Sequence, residues 1–151
     1  MHSTIRWRGE RHMEVGVSGP IAVVVIPGPA LPPDSAHFAQ RLLGIVHEFD
    51  AQAEVVQGTE ASALRLAREH GARFLLVATV LRWRDAQTQY YAEPDRIGID
   101  LRVTQVQTGT IVRDLNFETR SSPLAVRNAP ADRLLNEKFR QAVRQVLGSQ
   151  R

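Results

Sequence analysis

Five histidines, sixteen acids and no cysteine bound the chemistry that this 151-residue chain can attempt. His2, His12, His37, His47 and His70 lack the spacing of a metal clamp. His37 and His47, ten residues apart on one predicted helix, fall roughly 80° off a common face. These histidines read as solvated or capping groups, and no metal site is expected. Glu93, Asp95 and Asp100 lie close in sequence, with Asp85 across the intervening loop. General acid/base work needs two carboxyls held in unlike environments about a cleft. Here Arg82, Arg84, Arg96 and Arg102 are interleaved with the acids, so the carboxylates read as turn and strand-surface partners of arginine. A Gly-x-Ser-x-Gly elbow is missing. Gly16-Val17-Ser18-Gly19 neither fits a nucleotide fingerprint nor sits between a strand and a helix. The absence of cysteine removes disulfides, thiolate metal sites, cysteine nucleophiles and a cysteine-borne lipid anchor from these residues. No catalytic residue and no cofactor is expected, and the chain is not expected to be an enzyme.

One patch concentrates residue types that bind. Arg82-Trp83-Arg84, Tyr90-Tyr91 and Arg96 surround a single long loop. Arginine and aromatic side chains together are what protein interfaces enrich. The same groups stack on bases or sugar rings, and Trp83 alone could close the inward face of its strand. Charge adds little to the choice. The formal net charge is +3, and the high sequence pI of about 10.1 arises because Lys138 is the only lysine beside eighteen arginines. The arginines are spread from Arg6 to Arg151 and form no run, unlike a dedicated nucleic-acid binder.

Hydropathy patterning supplies the elements that must position this patch. With 43% hydrophobic and 23% charged residues the chain has ordinary globular composition, and its length is that of one domain. Residues 1–18 read as an arm, with a short strand over 14–17, and residues 19–151 as a single αβ domain. Ile21 to Ile26, stopped by Pro27-Gly28-Pro29, reads as a buried strand. The rival reading is a signal-peptide core. The run is short for that, its cleavage pattern is poor, and acids precede it. Asp34 or Ser35 opens a helix whose stripe is Phe38, Leu42, Ile45, Val46 and Phe49. Ala53 to Gln57 reads as a short strand. Thr59 caps a second helix, with Ala63, Leu64 and Ala67 inward and Gly71 past its end. Phe74 to Leu81 is apolar on both faces and should be a central strand. Arg96 to Gln107 alternates cleanly, turns at Thr108-Gly109 and returns over Ile111 to Arg120 as a hairpin, with Leu115 and Phe117 inward. The polar face of that hairpin (Asp100, Arg102, Asp114, Asn116, Glu118) is expected to meet water or a partner. Pro130 starts a last helix striped by Leu134, Leu135, Phe139, Ala142, Val143, Val146 and Leu147. The order β-α-β-α-β-β-β-α predicts an α/β (α+β) domain. Its mixed sheet has four or five strands, with helices mainly on one face.

The segments Gly71 to Val77, Leu81-Arg82-Trp83-Arg84-Asp85, Glu93-Pro94-Asp95-Arg96-Ile97 and Val106-Gln107-Thr108-Gly109 resemble the DUF4823 family of small bacterial envelope lipoproteins. More distantly the chain is similar to αβ domains of curli-secretion and Pel-polysaccharide lipoproteins and to the TolB amino-terminal domain. The likeness covers roughly residues 18–147 and is best over 71–122. It departs in having no lipobox cysteine or recognisable signal peptide in these residues, and in carrying Ser121-Ser122-Pro123-Leu124 where the family pattern has a glycine-rich stretch. The resemblance implies a non-enzymatic envelope protein, periplasm-facing or outer-membrane-associated. It would bind a protein partner or itself in an oligomer or ring, and would touch the membrane only through a lipid anchor. The alternative is a nucleic-acid-binding module built on the Arg/Trp/Tyr cluster. A small hydrolase using Asp85, Glu93 and Asp95 ranks below both.

Overall fold

A computed structural model of the chain describes residues 2–8, 16–17, 19–27, 35–84, 96–120 and 137–148. Its elements run β1 (His2–Trp7), β2 (Ile21–Pro27), α1 (Ser35–Val46), β3 (Glu54–Val55), α2 (Glu60–Glu69), β4 (Phe74–Arg84), β5 (Arg96–Gln105), β6 (Thr110–Arg120) and α3 (Glu137–Leu147). The strands form one six-stranded sheet in the order β1-β6-β5-β4-β2-β3. β2 pairs parallel with β3 and β4, as the intervening helices require, and β4, β5, β6 and β1 pair antiparallel. The mixed α+β class is as predicted from the sequence. The strand count is six because His2–Trp7, in the stretch expected to be an arm, lies antiparallel along β6.

The two faces of the sheet are covered differently. α1 and α3 share one face, where Phe38, Leu42, Phe139, Val143 and Val146 meet Phe74, Leu76, Ile97, Ile99, Leu101, Leu115 and Phe117. Phe139 sits between two rings, at 5.9 Å from Phe38 and 5.4 Å from Phe117. α2 packs on the opposite face, setting Ala63 and Ala67 against Ala22, Val24, Leu75 and Val77. Small residues let this helix approach closely. β2 and the first half of β4 therefore lie between helical layers, which is why they read as continuous apolar runs.

Caps and ties fix the layers. Thr59 Oγ1 accepts the Ser62 N–H at the start of α2, and Gly71 past its end has φ +78°, a conformation favouring glycine. The wholly buried Arg113 donates to the carbonyls of Val146 and Gly148 at the end of α3. Those are among the carbonyls that a helix end leaves without intrahelical donors. Burial lowers the Arg113 pKa. Glu48, after α1, accepts from Arg140 at 2.7 Å and Arg144 at 3.3 Å, joining α1 to α3 across their exposed rim.

Phe49 departs from the predicted helical stripe. α1 ends at Val46 and the chain turns through residues 47–49, which leaves the Phe49 ring 39% exposed. The predicted strand over 53–57 shortens to Glu54–Val55. The expected strand at 14–17 and the residues Asp34, Pro130, Leu134 and Leu135 lie wholly or partly outside the described residues. Among the described residues, no helix is long and apolar enough to cross a membrane.

Candidate functional site

The residues singled out in the sequence fall at the far end of the β4–β5 ribbon. Arg82, Trp83 and Arg84 are the last positions of β4, opposite Gly98, Ile97 and Arg96 respectively. The register shifts between Val80 and Arg82, so this end of β4 is offset from the central strand that feeds it. Arg84 and Arg96 are thus brought together, and the same backbone row continues to Arg120 on β6 and His2 on β1. Tyr90, Tyr91, Asp85, Glu93 and Asp95 lie outside the described residues.

Next to this row lies the part of the sheet that α2 does not cover. Strand alternation puts Asp100 and Arg102 from β5, Asp114, Asn116 and Glu118 from β6, and Thr4, Arg6 and Arg8 from β1 on one face. Asp100, on the face expected to meet water or a partner and read as a partner of arginine, is only 6% exposed. The diagonal pairing across β5 and β6 brings its carboxyl against that of Asp114, to which it is hydrogen-bonded. Asp100 lies 3.6 Å from Arg8 Nη1 and 3.5 Å from Arg102 Nε, and Arg102 also reaches Glu60 at 2.7 Å on the first turn of α2. Desolvation, then the hydrogen bond and charge of Asp100, push the Asp114 pKa up to about 7, against the opposing pull of Arg8 and Arg102. Asp114 therefore holds its proton well above the usual carboxylate range, and Oδ1 of each aspartate is buried without a hydrogen-bond partner.

Beside the aspartates the face sinks into a cleft of about 410 Å³ lined by Thr4, Arg6, Arg8, Asn116 and Glu118. In register, Arg6 stands opposite Asn116, and Thr4 opposite Glu118. No ion pair or side-chain hydrogen bond joins Arg6 to another described residue, whereas Arg8 is tied to Asp100.

Sequence reasoning placed Asp100, Arg102, Asp114, Asn116 and Glu118 on one hairpin face but did not bring Arg6 and Arg8 to it. The signal was present in the alternation Thr4-Ile5-Arg6-Trp7-Arg8, which is too short to be told from an irregular arm without its partner strand. The histidines form no common site. His47 Nε2 lies 3.0 Å from the Ala53 carbonyl, and His70 Nδ1 lies 2.5 Å from Glu54 Oε1. Among the described residues no cluster of three or more acids, histidines or cysteines could hold a metal ion.

No protein-family model matches the chain, and no curated protein matches its sequence. Solved structures match its fold. Two crystal forms of a PelC dodecamer from Paraburkholderia phytofirmans superpose with TM-scores of 0.68 and 0.66 at 18% and 19% identity, each covering 99% of this chain and 100% of that one. The LpoB C-terminal domain from Escherichia coli superposes with a TM-score of 0.51 at 16% identity, covering 71% of this chain and 87% of that one. Protein XCC0632 from Xanthomonas campestris, of the DUF330 family, superposes with a TM-score of 0.53 at 10% identity, covering 87% of this chain and 83% of that one. At such identities the likeness speaks to architecture alone. Over 99% of its length the chain shares its fold with the PelC protomer.

Proposed function

We propose that this chain is a non-enzymatic protein-interaction domain of the bacterial cell envelope, facing the periplasm, and that it assembles with copies of itself. The observation that carries this reading is the end-to-end match of the chain to the protomer of the PelC dodecamer, with neither chain left substantially over. The association surface is the end of the β4–β5 ribbon and its loop, where Arg82, Trp83, Arg84, Tyr90, Tyr91 and Arg96 concentrate in sequence. Its mechanism is docking without bond chemistry. Burial of aromatic rings and arginine stems excludes water, and guanidinium groups fix orientation. Trp83→Ala combined with Tyr91→Ala tests this directly. Light scattering on the intact chain over a wide concentration range should give a mass of several protomers. The double variant should shift towards the protomer without losing its fold by circular dichroism. A chain that scatters as a strict monomer at high concentration and retains no partner overturns the reading.

A further inference from the structure

One edge of the sheet is open along a full strand. β1 is the last strand in the order, and its six residues pair with β6 in unbroken register. Arg8 donates its N–H to the Asp114 carbonyl at 2.7 Å, which makes Arg8 and Asp114 a hydrogen-bonded pair. Antiparallel alternation then turns the N–H and C=O of Thr4 and Arg6 towards β6 as well, and those of Ile5 and Trp7 away from the sheet. Among the described residues no strand lies beyond β1 to take the outward groups of Ile5. The opposite edge is built differently. It is the two-residue β3, beside which the Asp50 carboxylate takes the Ile21 N–H at 2.8 Å. Side chains divide along β1 in the same way. Ile5 and Trp7 are half-buried at the rim of the core that α1 and α3 cover. Thr4, Arg6 and Arg8 are exposed on the other face. Arg8 lies 3.6 Å from Asp100, and Arg6 has no ion pair to another described residue. Glu118, across on β6, is engaged in an interaction of its own and is not the counter-charge of Arg6.

We propose that the β1 edge binds an extended segment of a partner protein in which acidic and apolar residues alternate, taken up antiparallel as a further strand of the sheet. Main-chain hydrogen bonds to the outward groups of β1 hold the segment, and its alternate side chains select it. Residues opposite Thr4, Arg6 and Arg8 fall in non-hydrogen-bonded pairs, where side chains approach most closely. An acid opposite Arg6 therefore meets a guanidinium with no ion pair of its own, and opposite charges paired across strands are favourable. Residues opposite Ile5 and Trp7 point to the other side, where apolar side chains continue the core past its rim. Charge argues against a second copy of β1 as the occupant. His2 to Arg8 contains two arginines and no acid. Pairing two such edges about Ile5, Arg6 or Trp7 sets arginine opposite or diagonal to arginine, which is destabilising. A nucleic acid offers negative charge, yet no peptide row to match the N–H and C=O of Ile5. This inference does not depend on self-association and is tested on the intact chain in whatever assembly it forms.

The probe is a fluorescein-labelled peptide alternating glutamate and valine over about eight residues, an ordinary strand length. Its binding to the intact chain is read by fluorescence anisotropy. The controls are a lysine–valine alternation, a peptide with the glutamates and valines in two blocks, and single-stranded DNA. The alternating acidic peptide should bind saturably, and at least about tenfold more tightly than each control. Two N-methylated forms of the acidic peptide test the backbone pairing on wild-type protein. Methyl groups on the valine nitrogens, which face β1 in this register, should abolish binding. Methyl groups on the glutamate nitrogens, which face away, should leave it. Arg6→Glu, at an exposed edge-strand position, should weaken the acidic peptide by about threefold to tenfold, as expected when one cross-strand charge pair turns to repulsion, and should tighten the lysine peptide. The variant should keep the wild-type far-ultraviolet circular dichroism. The proposal is overturned if the acidic peptide does not bind saturably, or if the lysine peptide, the blocked peptide or DNA binds as tightly. Equal effects of the two methylation patterns, or wild-type affinity in Arg6→Glu, overturn it as well. Loss of peptide binding with the oligomer intact would remove this inference alone.

Discussion

Replacing Asp114 by asparagine should make the protein more stable above neutral pH, which is unusual for removal of a charge flanked by two arginines. In the folded chain its pKa is raised from 3.8 to about 7. The folded state therefore binds this proton more tightly than the unfolded chain. The resulting stabilisation is fully present below the unfolded pKa and is lost as pH rises through the folded one. At full weight, a shift of this size corresponds to about 2.7 kcal/mol lost between about pH 5 and pH 8. Asp114 is partly exposed and Arg8 and Arg102 act against the shift, so solvent screening reduces the expected loss to about 1 kcal/mol. Asparagine keeps the shape and can still donate to the Asp100 carboxylate, but does not titrate. Urea unfolding of both proteins at about pH 5, 6.5 and 8 measures the difference directly, because every other titrating group is common to both. Wild type and Asp114→Asn should match within a few tenths of a kcal/mol near pH 5 and diverge to about 1 kcal/mol in favour of the variant near pH 8. Parallel pH profiles, or a variant that is weaker near pH 8, would refute the account of a raised Asp114 pKa.

Three further outcomes follow from the packing. Arg113→Met should cost about 2–3 kcal/mol by urea unfolding, because the buried guanidinium that donates to the end of α3 is lost while its acceptor carbonyls remain buried. Phe139→Ala should cost about 3–5 kcal/mol, since the ring is fully buried between Phe38 and Phe117 and the sheet beneath cannot collapse into the space. Gly58→Ala should lower the thermal midpoint, because a Cβ there would meet Ser62 Oγ at 2.2 Å and the φ of +121° is strained for any L side chain, at a cost of about 1–3 kcal/mol.

The parts of this fold legible in the sequence are those whose signal is local. The Thr59 cap, the alanine stripe of α2, the doubly buried run from Phe74 and the alternation of Ile97, Ile99, Leu101 and Val103 each declare their environment within a few residues. What could not be read depends on distant partners. His2–Trp7 becomes a strand only because β6 offers an unpaired edge 112 residues on, judged from the pairing of Ile5 with Phe117. Asp100 reads as a strand acid that meets water or an arginine partner, and its burial comes from Asp114, Arg8 and Arg102 converging from three strands. Arg113 shares the inward face of Leu115 and Phe117, and what lets a cation sit there is the end of α3, whose carbonyls come over it. The candidate site was legible only in part. The register puts Arg82, Trp83, Arg84 and Arg96 at one end of the sheet, while the cleft around Arg6 arises from β1 docking.

Native mass spectrometry of the intact chain tests the proposed self-association most directly. The account predicts discrete species at multiples of the 16.9 kDa protomer, closing at one preferred number of copies and persisting on dilution. A single 16.9 kDa species at every concentration would contradict it.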